Sequence, residues 1–213
     1  MSRVQSAMDE SGVVAIVRLD DYSTAVEMVQ ALIQGGITAV EFTYTNPAAG
    51  DAVAAVKAAL GDRVQVGAGT VLDPETARIA ILQGADFIVT PVVNIPTIEL
   101  CRRYSIPTVI GSFTATEILT AWQAGATYVK VFPASAVGPG YLKDVLGPLP
   151  QMKLIPTGGV TILNAGDFIR AGASAIAVGS NLVDANTVRA VDWQALTDRA
   201  AAFISAVRDA RPA

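Results

Sequence analysis

Hydrophobic residues along this chain fall into short β-like runs, and segments with helical periodicity lie between them. The runs number eight, and the segments between them span about ten to fifteen residues. This alternation is typical of parallel βα units, because a parallel strand needs a crossover connection before the next strand can begin. The predicted strands are Gly12–Leu19, Thr38–Thr43, Val64–Gly67, Phe87–Thr90, Thr108–Gly111, Thr127–Phe132, Lys153–Thr157 and Ala175–Val178.

The helical segments carry start and stop signals. In Ser23–Ile33 the apolar residues form a stripe at positions 25, 26, 28, 29, 32 and 33, which predicts one buried helix face. Asp73 is placed to cap a helix whose first turn begins with Pro74. Glycines at nearly even intervals end helical segments and lead into apolar runs, namely Gly36, Gly84, Gly125 and Gly172.

The repeat and the strand count together predict a (β/α)₈ barrel, the TIM-barrel fold. A doubly wound open sheet is the alternative, since it is built from the same βα units. The pair Gly67 and Gly69 lacks the third glycine of a dinucleotide-binding fingerprint, so a nucleotide cofactor is not expected. With 213 residues and 52% hydrophobic composition, we expect a single domain, residues 1–213, around one large core.

Charge and composition narrow the classes of partner. The formal net charge is −4 and no basic run occurs, so neither nucleic acid nor an anionic membrane surface is an expected partner. The first ten residues lack the apolar core of a signal peptide and no apolar run reaches membrane-spanning length, which predicts a cytoplasmic protein. One cysteine, Cys101, and no histidine leave no intrachain disulfide and no usual zinc site.

Two ionisable residues stand inside apolar strand patterns. Lys130 lies in the run 125–134, and Glu41 lies in the run that follows Gly36. Each stands five positions after a glycine, and side chains alternate along a strand, so the two groups should share height and facing. Taken alone, such a lysine could sit at a sheet edge with its head in solvent, but a buried amine loses its charge and becomes a nucleophile. The matching positions favour a shared site.

Further polar residues stand at the carboxyl ends of the predicted strands, where the loops of a barrel carry its chemistry. They are Arg18, Thr43, Thr70, Thr90, Ser112 and Thr114. The last two strands end in Thr157-Gly-Gly159 and Gly179-Ser-Asn181, and loops after these strands frequently hold phosphate in this fold. Turn glycines are common, but glycine admits close backbone approach and helix N-termini bind anions, so two adjacent turns favour phosphate.

Motifs along nearly the whole chain, taken in order, are Glu41-Phe-Thr, Gly67-Ala-Gly-Thr-Val-Leu-Asp73, Lys130-Val-Phe-Pro-Ala134, Pro156-Thr-Gly-Gly159 and Gly179-Ser180. Together they resemble the 2-keto-3-deoxy-6-phosphogluconate (KDPG) and 4-hydroxy-2-oxoglutarate (KHG) aldolase family. The resemblance implies a class I aldolase that cleaves KDPG to pyruvate and glyceraldehyde 3-phosphate, or KHG to pyruvate and glyoxylate. It also implies a homotrimer that acts on a small 2-keto acid and needs no metal or other cofactor.

The resemblance also implies roles for individual residues. Lys130 would form the Schiff base, Glu41 would be the general acid/base, and Thr70 would bind the pyruvate-derived half. The other expected substrate contacts are Arg18, Thr43, Pro91 and Phe132, and the expected phosphate contacts are Gly158, Gly159, Gly179 and Ser180. One departure is Thr45, which stands where some members carry a carboxylate-binding arginine. Arg18 or backbone donors are the candidates to replace that arginine.

Other functions would fit the same barrel. A phosphosugar isomerase or epimerase would share the glycine turns but would use a carboxylate or a cysteine without an imine. A non-catalytic scaffold would use the polar strand ends only as caps. Neither needs Lys130 and Glu41 at matching positions, which favours the aldolase. Because the sequence fixes neither the aldehyde half nor the configuration at C4, a galactonate-type (KDPGal) aldolase is the nearest variant.

Overall fold

A computed structural model describes residues 2–211, in which eight parallel strands alternate with helices. The predicted (β/α)₈ architecture is confirmed, while Met1, Pro212 and Ala213 of the predicted domain 1–213 lie outside the described residues. The strands are β1 Val13–Val17, β2 Ala39–Thr43, β3 Gln65–Gly69, β4 Phe87–Val89, β5 Thr108–Ser112, β6 Tyr128–Val131, β7 Leu154–Pro156 and β8 Ile176–Val178. The helices are α1 Arg3–Ser11, α2 Ala25–Gln34, α3 Ala49–Leu60, α4 Pro74–Leu82, α5 Ile95–Arg103, α6 Ala115–Ala124, α7 Gly138–Leu146, α8 Ile162–Arg170, α9 Ala185–Arg189 and α10 Trp193–Ala210.

The strands form one sheet that closes on itself. Neighbours pair in sequence order from β1 to β7, and β8 pairs with β1 in parallel. A bridge between Thr157, just after β7, and Ala177 of β8 joins the remaining two strands. This bridge joins the two outer strands of the order and excludes the doubly wound open sheet, in which the outer strands would stay apart.

Alternate residues of each strand pack on opposite sides of the sheet. Those on the outer side, such as Val13 and Val40, pack against the helices in the larger core cluster. Those on the inner side fill the barrel, and they are Val14, Ile16, Ala39, Phe87, Val89, Val109, Tyr128, Ile155, Ala175 and Ala177. Val4 and Met8 of α1 join this inner cluster, so α1 seals the amino-terminal end of the barrel. The candidate active site lies at the opposite end, where the strands terminate.

Local sequence signals explain where helices begin and end. The four repeated glycines share a backbone φ between 94° and 100°, a conformation that side chains disfavour, and each lies at the turn from a helix into the next strand. Asp73 caps α4, because its Oδ1 accepts the N–H of Thr76 at 2.6 Å, and Pro74 opens the helix. These features match the predictions from the sequence.

Two strand ends differ from the predictions by two residues, and the other boundaries agree within one residue. β1 ends at Val17, so Arg18 lies just beyond the strand. β3 continues to Gly69, two residues past the predicted end, because all of its residues pair with β2 up to the partners Thr43 and Gly69. The glycines of β3 are therefore strand residues and not a turn.

Candidate active site

Glu41 and Lys130 lie on opposite walls of the barrel, near its carboxyl end. Glu41 belongs to β2, and Lys130 belongs to β6, four strands further along the sheet. Both are buried, with 2% and 7% of their surfaces exposed, and both line the same cavity. The structure therefore brings together the two residues that stand at equal offsets in the sequence.

The cavity has a volume of about 320 Å³, which suits a small metabolite. All but one of the residues predicted for the site line it, namely Arg18, Glu41, Thr70, Pro91, Lys130, Phe132, Gly158, Gly159, Gly179 and Ser180. Lining residues that sequence reasoning did not assign to the site are Ile16, Thr157, Val160, Ala177, Asn181 and Val183. The lining thus combines charged and hydroxyl groups with an apolar wall.

Thr43 is the predicted substrate contact that does not line the cavity. Its side chain is fully buried, and its hydroxyl shares a hydrogen bond of 3.2 Å with the hydroxyl of Thr45. Thr45, which stands where some members of the resembled family carry an arginine, is absent from the lining as well. Arg18 and Lys130 are the two cationic side chains of the lining, so Arg18 is placed to meet an anionic group of a ligand.

Burial shifts the proton affinities of both catalytic candidates. It raises the pKa of Glu41 above the ordinary 4.5, although the positive charges of Lys130 and Arg18 oppose the rise. It lowers the pKa of Lys130 below the ordinary 10.5, an effect that Glu41 opposes and Arg18 reinforces. Both shifts favour the neutral forms, a free amine facing a carboxylic acid.

The two groups do not neutralise each other through direct contact. No ion pair or hydrogen bond joins Glu41 to Lys130, although ion pairs occur elsewhere between residues 2 and 211. The amine instead lies 5.2 Å from the centre of the Phe132 ring, at the mouth of the cavity. The space between acid and amine is therefore open to a substrate atom or a water molecule.

Hydrogen-bonded side chains fill the layer of the barrel below Lys130. Tyr128, two residues earlier on β6, faces the same side and donates a hydrogen bond of 2.6 Å from its hydroxyl to Asp9 of α1. Asp9 also pairs with Lys153 at 3.0 Å. These contacts connect α1 to the barrel wall in the layer directly beneath the Lys130 amine.

Two glycines of β3 make room for side chains of neighbouring strands. A Cβ on Gly69 would lie 2.8 Å from Oε1 of Glu41, and a Cβ on Gly67 would lie 2.3 Å from the ring of Phe87. Sequence reasoning discounted both glycines as a weak nucleotide motif. The available signal was the strand context, since glycine inside a strand often marks close approach by another group.

Thr70 follows Gly69 directly and has a strained backbone. Its φ is +59°, a left-handed conformation that a β-branched residue rarely adopts. Strain of this kind concentrates at functional sites, where surrounding structure holds a side chain in place. Thr70 lines the cavity, so the strain coincides with its predicted role.

The two glycine turns form one end of the cavity. Gly158 and Gly159 have φ values of +88° and +75°, and a Cβ on Gly159 would lie 2.5 Å from the Cβ of Ser135. A side chain would therefore be strained at both positions and would also collide at the second. The turn brings bare backbone to the cavity opposite Gly179 and Ser180, as anion binding requires.

No group of three or more histidine, cysteine, aspartate or glutamate residues is arranged to hold a metal ion in the described part of the chain. Within residues 2–211 no helix combines the length and hydrophobicity needed to span a membrane. The functional groups of the cavity are an amine whose pKa is lowered, a carboxyl group whose pKa is raised, a guanidinium group and two backbone turns. They suit imine formation with a small anionic carbonyl compound.

Comparison with known proteins identifies the family of this chain. A family model for KDPG and KHG aldolase matches residues 4–199. Over 198 residues the chain is 37% identical to the 2-dehydro-3-deoxy-6-phosphogalactonate aldolase of Escherichia coli, which covers 92% of this chain and 95% of that protein. It is 33% identical over 198 residues to the 2-dehydro-3-deoxy-phosphogluconate aldolase of Treponema pallidum, with 92% and 94% covered.

Solved structures extend the likeness to three dimensions. A structure of KDPG aldolase from Legionella pneumophila, with pyruvate captured at low pH as a covalent carbinolamine intermediate, superposes with a TM-score of 0.88. The two chains are 25% identical, and 95% of this chain and 98% of that chain are covered. The protein described here therefore belongs to the KDPG and KHG aldolase family, whose members are lyases.

Proposed function

We propose that this protein is a Schiff-base aldolase that cleaves KDPG to pyruvate and glyceraldehyde 3-phosphate. The observation that carries the proposal is the buried amine of Lys130, whose pKa is lowered and which faces Glu41 across a cavity with two glycine turns. KHG, which would yield pyruvate and glyoxylate, is the related substrate without phosphate. The capture of pyruvate as a carbinolamine in the Legionella pneumophila enzyme supports covalent chemistry in this family.

The mechanism follows from the neutral forms that burial favours. The lone pair of Lys130 attacks C2 of the keto acid, and the resulting carbinolamine loses its hydroxyl as water when Glu41 supplies a proton. The iminium then draws the electrons of the C3–C4 bond, while the Glu41 carboxylate takes the C4 hydroxyl proton through a water molecule. The aldehyde leaves, Glu41 returns a proton to C3 of the enamine, and water hydrolyses the imine to release pyruvate.

Binding contacts divide the substrate into two halves. Arg18 pairs with the carboxylate of the pyruvate half in place of the arginine that Thr45 replaces, and Thr70 binds the same half. Pro91 and Phe132 supply apolar contacts beside the amine. The phosphate of the other half is held by the turns Gly158–Gly159 and Gly179–Ser180, whose backbone N–H groups are suited to an anion.

The configuration at C4 is the main alternative within the same chemistry. The galactonate-type relative shares 37% identity with this chain and the gluconate-type relative shares 33%, so cleavage of the galactonate epimer KDPGal is a second candidate activity. Rates of pyruvate release from KDPG, KDPGal and KHG, compared on one enzyme preparation, decide between the epimers and show whether phosphate is required.

Reductive trapping tests the covalent step. Incubation with pyruvate and borohydride should inactivate the enzyme and add one pyruvate-derived group per chain, on Lys130. Mass spectrometry of a digest locates the adduct. Adducts spread over Lys57, Lys143 and Lys153, or no adduct at all, would overturn the Schiff-base proposal.

We further propose that the protein is a homotrimer. Large apolar side chains remain exposed on and beside α4 and α5, namely Leu72, Ile79, Leu82, Val92 and Ile95. Exposed apolar surface of this extent is typical of a face that packs against another copy. Sedimentation of the native protein should give a trimer, and Leu82→Glu should dissociate it. If the Leu82→Glu variant remains a trimer, the interface lies on another face. If the native protein is a monomer, the trimer proposal is refuted. A cytoplasmic location stays a prediction.

A further inference from the structure

The side chain of Asn181 connects the two glycine turns. Asn181 lines the cavity directly after Gly179 and Ser180, and its Nδ2 donates a hydrogen bond of 2.7 Å to the carbonyl of Val160. Val160 in turn follows Gly158 and Gly159 in the opposite turn. One carboxamide therefore spans the gap between the two segments proposed to hold phosphate.

The turn after β7 depends on such side-chain contacts for its orientation. Its consecutive glycines at positive φ have wide conformational freedom. The carbonyl of Gly159 accepts a bond of 3.0 Å from Asn164, and the carbonyl of Val160 accepts the bond from Asn181. A peptide unit is planar, so the bond to the Gly159 carbonyl also orients the N–H of Val160. The N–H of Thr161, in the unit that Asn181 holds, donates to Oδ1 of Asn164 at 2.7 Å. Among the described residues, no acceptor is bonded to the N–H of Gly159 or of Val160.

Asn181 itself stands on a fixed segment. The carbonyl of Gly179 accepts the N–H groups of Leu182 and Val183 at 2.8 and 2.9 Å. The carbonyl of Leu182 accepts a bond of 2.8 Å from Arg199 of α10, and the Leu182 side chain is fully buried. The segment after β8 is thus anchored to the core and to a helix, so Asn181 can hold the other turn in place.

We infer that Asn181 is a positioning residue that ties the Gly158–Gly159 turn to the Gly179–Ser180 turn and so fixes the separation of the two segments that hold the substrate phosphate. This inference rests on the proposed function, because it requires a phosphorylated substrate in these turns. Without the amide donor, the carbonyl of Val160 loses its bond to the segment after β8, while the N–H of Thr161 stays bonded to Asn164. The two turns are then no longer held at one separation, and a phosphate between them loses part of its contacts.

The test replaces the carboxamide while keeping its size. Asn181→Leu should raise the KM for KDPG and the inhibition constant of inorganic phosphate roughly tenfold, as expected for one lost hydrogen bond, with kcat changed less than about twofold. The KM for KHG and the rate of pyruvate trapping should stay at wild-type values. Asn181→Gln, which retains the amide donor on a longer arm, should recover part of the loss.

Asn186→Leu is the matched control. Asn186 lies in α9, is exposed, and its side chain bonds Arg189 and neither turn, so all constants should equal those of the wild type. Thermal unfolding of each variant reports any general loss of stability. Equal rises in KM for KDPG and KHG, or unchanged phosphate inhibition in Asn181→Leu, would overturn the positioning role. Failure of the wild type to cleave any of the three keto acids would instead overturn the proposed function.

Discussion

Substitution of Gly69 tests how the barrel holds Glu41, the proposed acid/base. A Cβ at this position would lie 2.8 Å from Oε1 of Glu41, 2.9 Å from its Cδ and 3.2 Å from Oε2. The backbone of Gly69 is not in the left-handed region, so alanine can adopt it without strain. Gly69→Ala should therefore leave β3 intact and act on the carboxyl group of Glu41.

The size of the effect follows from these distances. To restore an ordinary contact of roughly 3.5 Å, Oε1 must retreat from the new methyl group by roughly 0.7 Å. A displacement on the order of 1 Å at a reacting group can cost about 10²-fold in rate. We expect kcat for KDPG cleavage to fall about 10²-fold, the lower end of the contribution of a positioned acid/base.

Two assays separate the base from the nucleophile. Cleavage and C3 proton exchange of pyruvate depend on Glu41 and should fall together in Gly69→Ala. Borohydride trapping depends mainly on Lys130, on the opposite wall, and should persist at a reduced rate. Gly140→Ala is the control, because a Cβ there meets nothing within 4 Å, and both activities should match the wild type.

Wild-type turnover in a correctly folded Gly69→Ala variant would refute this reasoning, since the carboxyl group would then tolerate displacement. Complete loss of trapping would also count against it, because the effect would have spread to Lys130 or to the fold. Circular dichroism and thermal unfolding identify the second case.

Four further predictions address the amine, the acid and the glycine turn. Lys130→Met should abolish trapping and cleavage together, whereas Glu41→Gln should lower turnover about 10²- to 10⁴-fold and leave slower trapping. Near-normal cleavage and exchange in Glu41→Gln would make Glu41 a structural ion. The trapping rate of the wild type should rise with pH through a pKa below the ordinary 10.5 of lysine, because burial lowers that pKa and only the neutral amine attacks. A midpoint at or above 10.5 contradicts the assignment. Gly159→Val should raise KM for KDPG far more than for KHG, because its side chain meets Ser135, and equal rises would make the turn merely structural.

The features predicted correctly from the sequence depend on short-range periodicity. Strand and helix patterns, together with the spacing of the glycines before strands, were enough for the barrel. Equal offsets predicted a shared site for Glu41 and Lys130, and both side chains line the same cavity, because alternation along a strand is a local property. Cavity lining by Arg18, Thr70 and the two glycine turns follows from their location at strand ends.

The omissions concern contacts between distant segments, whereas Thr43 departs from its predicted placement through a bond to a residue two positions away. Thr43 shares the facing of Glu41, but facing does not set depth, and the hydroxyl bonds Thr45 instead of entering the cavity. The space that Gly69 leaves for Glu41 depends on the register of β2 against β3, which no local pattern encodes. The bond from Asn181 to Val160 likewise arises only when the barrel closes between β7 and β8.

The burial of Glu41 and Lys130 opposes folding in a direction set by their pKa shifts. The folded pKa of Lys130 is depressed, so between that value and 10.5 the unfolded chain binds more protons, and stability rises with pH. The folded pKa of Glu41 is raised, so between 4.5 and that raised value the folded chain binds more protons, and stability falls as pH rises. Burial of the charged form of each group therefore lowers the free energy of unfolding. Apolar residues of similar size would pack at these positions without this loss of stability. We therefore attribute this pair, which weakens the fold and faces a shared cavity, to the proposed chemistry, because the burial that destabilises both charges also favours a neutral amine and a neutral carboxyl group.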